Sequence, residues 1–195
     1  MPPSRMCMSE AFTVFTGRPN AGKSSVINGI FDLKVATGKR PGTTRRISKH
    51  LLGDGLILVD MPGFGRMLGA SKRLEDRKND QIIRFLESNA REIVLAVHVL
   101  DISTFLEVTR RLERKGFISV DVEMVQFLVK ILDEPPLVVA NKIDKADKEA
   151  LRVSLQEFIR SIGDDDPEKV AERVFPVSAK TGEGLSALKS AIHEK

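Results

Sequence analysis

Short runs of aliphatic and β-branched residues alternate along this chain with longer stretches whose apolar residues recur at helical spacing. The runs at residues 11–16, 56–60, 93–100, 137–140 and 174–177 are almost wholly apolar, as expected of strands covered on both faces. Between them the pattern predicts helices over 23–31, 71–89, 120–132, 148–162 and 185–193. In the second of these, Leu74, Ile82, Phe85 and Leu86 fall close to helical spacing, with charges between them. Such alternation predicts an α/β fold, a doubly wound and mostly parallel sheet with helices on both faces and right-handed crossovers. Residues 33–50 and 63–72 break the pattern; they carry Gly, Pro and Lys/Arg without apolar period and read as loops. Lacking an internal repeat or linker, the chain is expected to comprise a short N-terminal tail over 1–10 and one domain over 11–195.

Composition narrows the class. A chain of 195 residues can bury about 70% of its unfolded surface and needs no covalent staples. Its single cysteine, Cys7, forms no internal bridge, which fits a reducing compartment, and cytoplasmic location is expected. The apolar run over 93–100 is far short of the roughly 20 residues of a spanning helix. No membrane partner is expected, and neither end carries a lipidation pattern. The net charge of +4 says little by itself, but its distribution says more. Lys34, Lys39, Arg40, Arg45, Arg46 and Lys49 crowd the segment 34–50 without one acidic residue, and like charges repel unless an anion offsets them.

Four short motifs carry chemistry. Residues 17–24, GRPNAGKS, match GxxxxGK[ST] between a predicted strand and a predicted helix. Gly17 and Gly22 let the backbone wrap a phosphate, and the N–H groups from Asn20 and Ala21 through Ser25 point at the anion. Lys23 would reach the β- and γ-phosphates, and the Ser24 hydroxyl would ligate Mg²⁺. Asp60-Met-Pro-Gly63 ends the strand over 56–60, where Asp60 can hold Mg²⁺ through water and the Gly63 N–H can meet a γ-phosphate. Asn141-Lys-Ile-Asp144 follows the strand over 137–140. The Asp144 carboxylate can accept N1–H and N2–H of guanine together, a match adenine lacks, and such a site discriminates by about 10⁴-fold. Asn141 would brace the loop while the Lys142 stem lies along the base. Ser178-Ala179-Lys180 follows the last strand, and its N–H groups can contact the guanine carbonyl. Each motif alone also suits an ordinary turn. Their order, with spacings of 37, 81 and 37 residues from Lys23 to Asp60 to Asn141 to Ser178, puts each beyond the end of a strand, where open α/β sheets bind ligands.

This set resembles the G1, G3, G4 and G5 boxes of the translation-factor-related P-loop GTPases. Residues 17–28, GRPNAGKSSVIN, with 40–44, RPGTT, and 60–65, DMPGFG, are similar to the EngB (YihA/YsxC) group of ribosome-assembly GTPases, and the span between Asp101 and Asn141 looks like archaeal members. Pro19 departs from the Ser of many members. The resemblance implies a Ras-like domain that binds GTP and GDP with Mg²⁺. It also implies that Thr44, the G2 threonine, closes over Mg²⁺ and the γ-phosphate. Relatives such as Ras place after DxxG a Gln that orients the attacking water; Phe64 stands there and cannot, so slow intrinsic hydrolysis is expected. Asn20 either helps hold an activating K⁺, as in related GTPases, or only caps its loop. The basic segment 34–50 is expected to contact ribosomal RNA through phosphates and shape, and the chain to act as a monomer. Two alternatives stand beside this reading, a nucleotide-binding scaffold with negligible hydrolysis and a G protein of tRNA modification. His50, His98 and His193 are scattered, and Arg110, Arg111, Arg114 and Lys115, alternating with Glu107 and Glu113, read as a solvated helix face or turn.

Overall fold

The computed structural model describes residues 10–31, 33, 46–53, 55–65, 72–162 and 166–194. Six strands are described: β1 (Ala11–Gly17), β2 (Ser48–Gly53), β3 (Leu56–Asp60), β4 (Ile93–Asp101), β5 (Leu137–Asn141) and β6 (Val174–Val177). They form one sheet in the order β2-β3-β1-β4-β5-β6, parallel throughout except for antiparallel β2. The helices are α1 (Lys23–Phe31), α2 (Lys72–Ser88), α3 (Ile102–Glu113), α4 (Val120–Ile131), α5 (Lys148–Ile162), α6 (Pro167–Glu172) and α7 (Leu185–His193).

Strand alternation sorts the core into two faces. Phe15, Leu58, Val97 and Val139 meet Val26, Ile27 and Ile30 of α1 and Leu188 of α7. On the other face Val14, Val59 and Ala96 meet Ile82 and Leu86 of α2 and Met124 and Leu128 of α4. That face continues toward β5, where Val138 and Ala140 pack with Phe105 of α3 and Phe158 of α5, the two rings edge-on at 5.3 Å. The predicted Ras-like α/β architecture is the one observed. Because the strand order reverses beside β1, a crevice opens at the C-terminal edge of the sheet.

Four expectations are corrected. First, residues 48–50, read as loop, begin β2, which pairs from Ser48↔Asp60 to Gly53↔Leu56. Its alternation is weak because Leu51 points outward, 73% exposed, on an edge strand with little to bury. Second, Lys49 is consequently not a free cation of the basic segment. Its ammonium lies 3.6 Å from Glu10 and 4.4 Å from the centre of the Phe12 ring. Third, two helices went unpredicted. In α3 the buried stripe is thin, Ile102, Phe105 and Thr109, and α6 is only six residues long. Fourth, Leu74 lies outside the α2 stripe, 62% exposed, whereas Ile82 and Leu86 are fully buried.

Candidate functional site at the sheet edge

Asn141 ends β5, 2% exposed, and its amide joins three of the four motif loops. The Nδ2 group donates to the Ala21 carbonyl at 2.8 Å, and Oδ1 accepts the Ala179 N–H at 3.0 Å. Gly22 makes this approach possible. Its φ is +93°, and a Cβ there would lie 2.2 Å from Asn141 Nδ2. The first helical bond of α1 follows at once, Val26 N–H to the Gly22 carbonyl at 3.0 Å, so the free N–H groups of the helix start face the crevice. Ser24, half-buried, and Ser25, exposed, sit in that first turn.

Lys142, at φ +70°, spans from the Asn141 loop to the phosphate loop. Its ammonium donates to the Asn20 carbonyl and to Asp101 Oδ2, each at 2.5 Å. Two residues on, Asp144 Oδ1 accepts the Ser178 hydroxyl at 2.7 Å, and Oδ2 lies 3.8 Å from the largely exposed Lys180 ammonium. The Ser178 hydroxyl chiefly holds the Asp144 carboxyl below its ordinary range, with Lys180 and Lys145 adding to the effect. This favours the ionised carboxylate, which can accept paired N–H groups. Ser178 itself is fully buried and orients that carboxylate. The Ala179 N–H, expected at a guanine carbonyl, is instead donated to Asn141.

On the phosphate side Lys23 is buried at the start of α1 and its ammonium donates to Oδ1 of fully buried Asp60. Burial lowers the lysine pKa, with the Asp60 charge opposing that shift. The donor set fits a hard cation: the Asp60 carboxylate stands near the Ser24 turn, and both offer oxygen. Among the described residues no three His, Cys, Asp or Glu side chains gather to hold a metal alone, so a cation here would draw further ligands from phosphate and water.

The segment after Asp60 is pressed against the phosphate loop. Met61 N–H donates to the Phe15 carbonyl and Phe64 N–H to the Gly17 carbonyl, at 3.1 and 3.0 Å. A Cβ on Gly63 would lie 2.7 Å from Pro19 N, so only glycine fits beside that proline. Phe64, half-buried, packs against the core of the α2–α4 face. Asn20 is exposed at φ +66°, and Thr44 lies outside the described residues with Lys34, Lys39, Arg40 and Arg45.

Sequence reasoning missed a buried polar chain behind the site. His98 of β4, 1% exposed, contacts Thr16 Oγ1 at 3.0 Å through Nδ1 and Asp121 Oδ1 at 3.2 Å through Nε2. The Arg18 guanidinium of the phosphate loop lies 3.5 Å from Asp121 Oδ2. The acid reads in sequence as a favourable first-turn residue of α4, and nothing there marks its partners. Asp101, which holds Lys142, was missed for the same reason: its partner lies 41 residues away.

Comparison with known proteins agrees with this geometry. Residues 12–142 match the MMR_HSR1 family, described as 50S ribosome-binding GTPase. A probable GTP-binding protein EngB of Methanopyrus kandleri is 43% identical over 93% of this chain and 90% of its own, and one of Archaeoglobus fulgidus is 40% identical over 90% and 87%. The crystal structure of a probable GTP-binding protein EngB superposes with a TM-score of 0.84 at 36% identity, covering 94% of this chain and 97% of that one. The chain thus belongs to the EngB family of P-loop GTP-binding proteins, alongside its archaeal members.

Proposed function

We propose that this chain is a slow GTP-hydrolysing switch that acts in assembly of a ribosomal subunit in the cytoplasm. The carrying observation is the Asn141 amide, which ties the phosphate loop to the 178–180 loop, whose Ser178 hydroxyl holds Asp144, the carboxylate proposed to read guanine. Ribosomal contact is supported by the description of the matched family and by the cations of segment 34–50. In this reading Lys23 leaves Asp60 to meet the β- and γ-phosphates, and Ser24, Thr44 and Asp60 hold Mg²⁺, directly or through water. Mg²⁺ supplies positive charge to the phosphates when bound. The Gly63 N–H follows the γ-phosphate and releases it after hydrolysis to GDP and phosphate. Ala21, Gly22, Ser24 and Ser25 offer backbone N–H groups to phosphate. Asp144, oriented by Ser178, accepts from guanine, and Lys142 and the 179–180 backbone border the base.

Phe64 packs into the core where some relatives position water, so the isolated chain should turn over far below about 1 s⁻¹, the lower end of ordinary enzymes. Asn20, exposed on the phosphate loop, is the residue proposed to help hold K⁺. Replacing K⁺ by Na⁺ should then slow hydrolysis, and equal rates would remove Asn20 from that role. The switch is tested by co-sedimentation with separated ribosomal subunits, in GDP and in a non-hydrolysable GTP analogue, over a salt series. One subunit should retain the protein only with the analogue, with affinity falling as salt rises by about 0.7–0.9 log per log for each phosphate contact. Absence of binding in both states would overturn the ribosomal assignment and leave the nucleotide site standing.

A further inference from the structure

The connection between α3 and α4 carries chemistry that the nucleotide site does not use. Helix α3 closes in a glycine turn: Gly116, at φ +73°, donates to the Glu113 carbonyl at 2.9 Å, and Phe117 donates to the Leu112 carbonyl at 3.0 Å. This bond pair fixes the direction of the chain as it leaves the helix. In such a turn the residue after the glycine usually packs back on the helix, here onto Leu112. Phe117 instead stands 62% exposed, followed by Ile118 at 58%. Arg110, Arg111, Arg114 and Lys115 surround the turn, all exposed, and among the described residues none of the four forms an ion pair. Glu107 and Glu113 of α3 neighbour these cations in sequence, and among the described residues neither forms an ion pair with any of the four. Val120, three residues after Phe117, reaches the segment after Asp60: its Cγ1 lies 3.2 Å from where a Gly65 Cβ would be.

We propose that this turn is a contact site for single-stranded RNA, with Phe117 as a stacking platform for an unpaired base and the four cations as phosphate contacts. Charge complementarity selects the occupant. Four unpaired cations within six positions suit a polyanion. A lone exposed aromatic ring beside them suits a base, which offers a π-face whatever its sequence. Two exposed apolar side chains are too few to form the dry centre of a protein interface, which buries about 1,600 Å². They are equally too few to hold a chain in a bilayer. The site is distinct from segment 34–50, and it does not depend on the partner being a ribosome.

The test is fluorescence polarisation of a labelled, unstructured 12-nucleotide RNA with the full chain in GDP, over a salt series. Binding is expected with a log–log salt slope of about −2 to −3, as three or four contacts at about −0.7 each require. Phe117→Ala should weaken it about 10-fold and leave the slope unchanged. Phe117→Leu, which keeps apolar bulk without a ring, should be as weak as Ala. Arg111→Gln, Arg114→Gln and Lys115→Gln together should flatten the slope by about 2. The same loss from Phe117→Ala should persist when Arg45 and Arg46 are replaced by Gln, which separates this surface from segment 34–50. Unchanged labelled-GDP affinity in each variant verifies folding. The proposal is overturned if Phe117→Ala binds as the parent does, if Leu restores binding, or if an RNA duplex binds as tightly as the single strand. Failure of subunit co-sedimentation leaves this result untouched, because the probe carries no ribosomal sequence.

Discussion

Asn141 and Asp144 do different work three residues apart. Asn141 satisfies two backbone groups on other loops, so Asn141→Ala leaves the Ala21 carbonyl and the Ala179 N–H without their partner. One buried and one half-buried group so stranded should cost about 2–4 kcal/mol, read as a lower denaturant midpoint, and GDP affinity should fall with it. Asp144 acts through charge. Its carboxyl is held below the ordinary 3.8, first by the Ser178 hydroxyl, so the ionised form persists as pH falls. A carboxylate depressed in the folded protein contributes stability above its unfolded pKa and loses it as pH falls through the folded value. Labelled-GDP affinity should therefore fall only at a lower pH than an unperturbed carboxylate would give. Ser178→Ala should move that fall to higher pH; an unmoved profile would remove the hydroxyl as its cause.

At the scale of elements, the buried chain from Thr16 through His98 and Asp121 to Arg18 ties β1, β4 and α4 to the phosphate loop. Asp121→Ala strips the Nε2 partner from fully buried His98 and should destabilise by about 1–3 kcal/mol in chemical denaturation. Arg18→Ala, whose side chain is 37% exposed, should cost less than about 1 kcal/mol. Parity between the two variants would contradict a chain anchored on His98. No sequence pattern announces that chain, since each contact spans 23 to 103 residues and each residue type has a plain local role. Elements were legible where burial imposes a long apolar signal. The four inner parallel strands read clearly because both faces are largely covered, edge strand β6 reads from its short Val-Phe run alone, and α1, α5 and α7 match their predicted spans. Edge strand β2 turns Leu51 to solvent, so its alternation misleads. Helix α6 is too short for a period, although Asp166 before Pro167 was a usable start signal: its side chain accepts the Lys169 N–H. The site was more legible than these elements, because phosphate-binding loops need glycine at fixed offsets, as the approach of Asn141 to Gly22 illustrates. Ser178 reads only as a weak tripeptide until the fold brings it 2.7 Å from Asp144.

For the molecule as a whole, the sheet is the frame that converts four separated loops into one crevice. Among the described residues no helix is long and apolar enough to cross a membrane, and along the sequence cations cluster over 34–50 and over 110–115. The switch proposed for this chain rests on the crevice selecting guanine. With no Trp and no Tyr the chain has little fluorescence of its own, so a labelled nucleotide must report binding. The most direct measurement is displacement of labelled GDP by GTP, GDP and ATP, for the parent chain and for Asp144→Asn. GTP and GDP should displace it and ATP should fail at about 10⁴-fold higher concentration, while Asp144→Asn, which replaces one acceptor oxygen by a donor, should lose GDP by about 100-fold or more. Effective competition by ATP, or an Asp144→Asn variant that holds GDP as the parent does, would contradict the account.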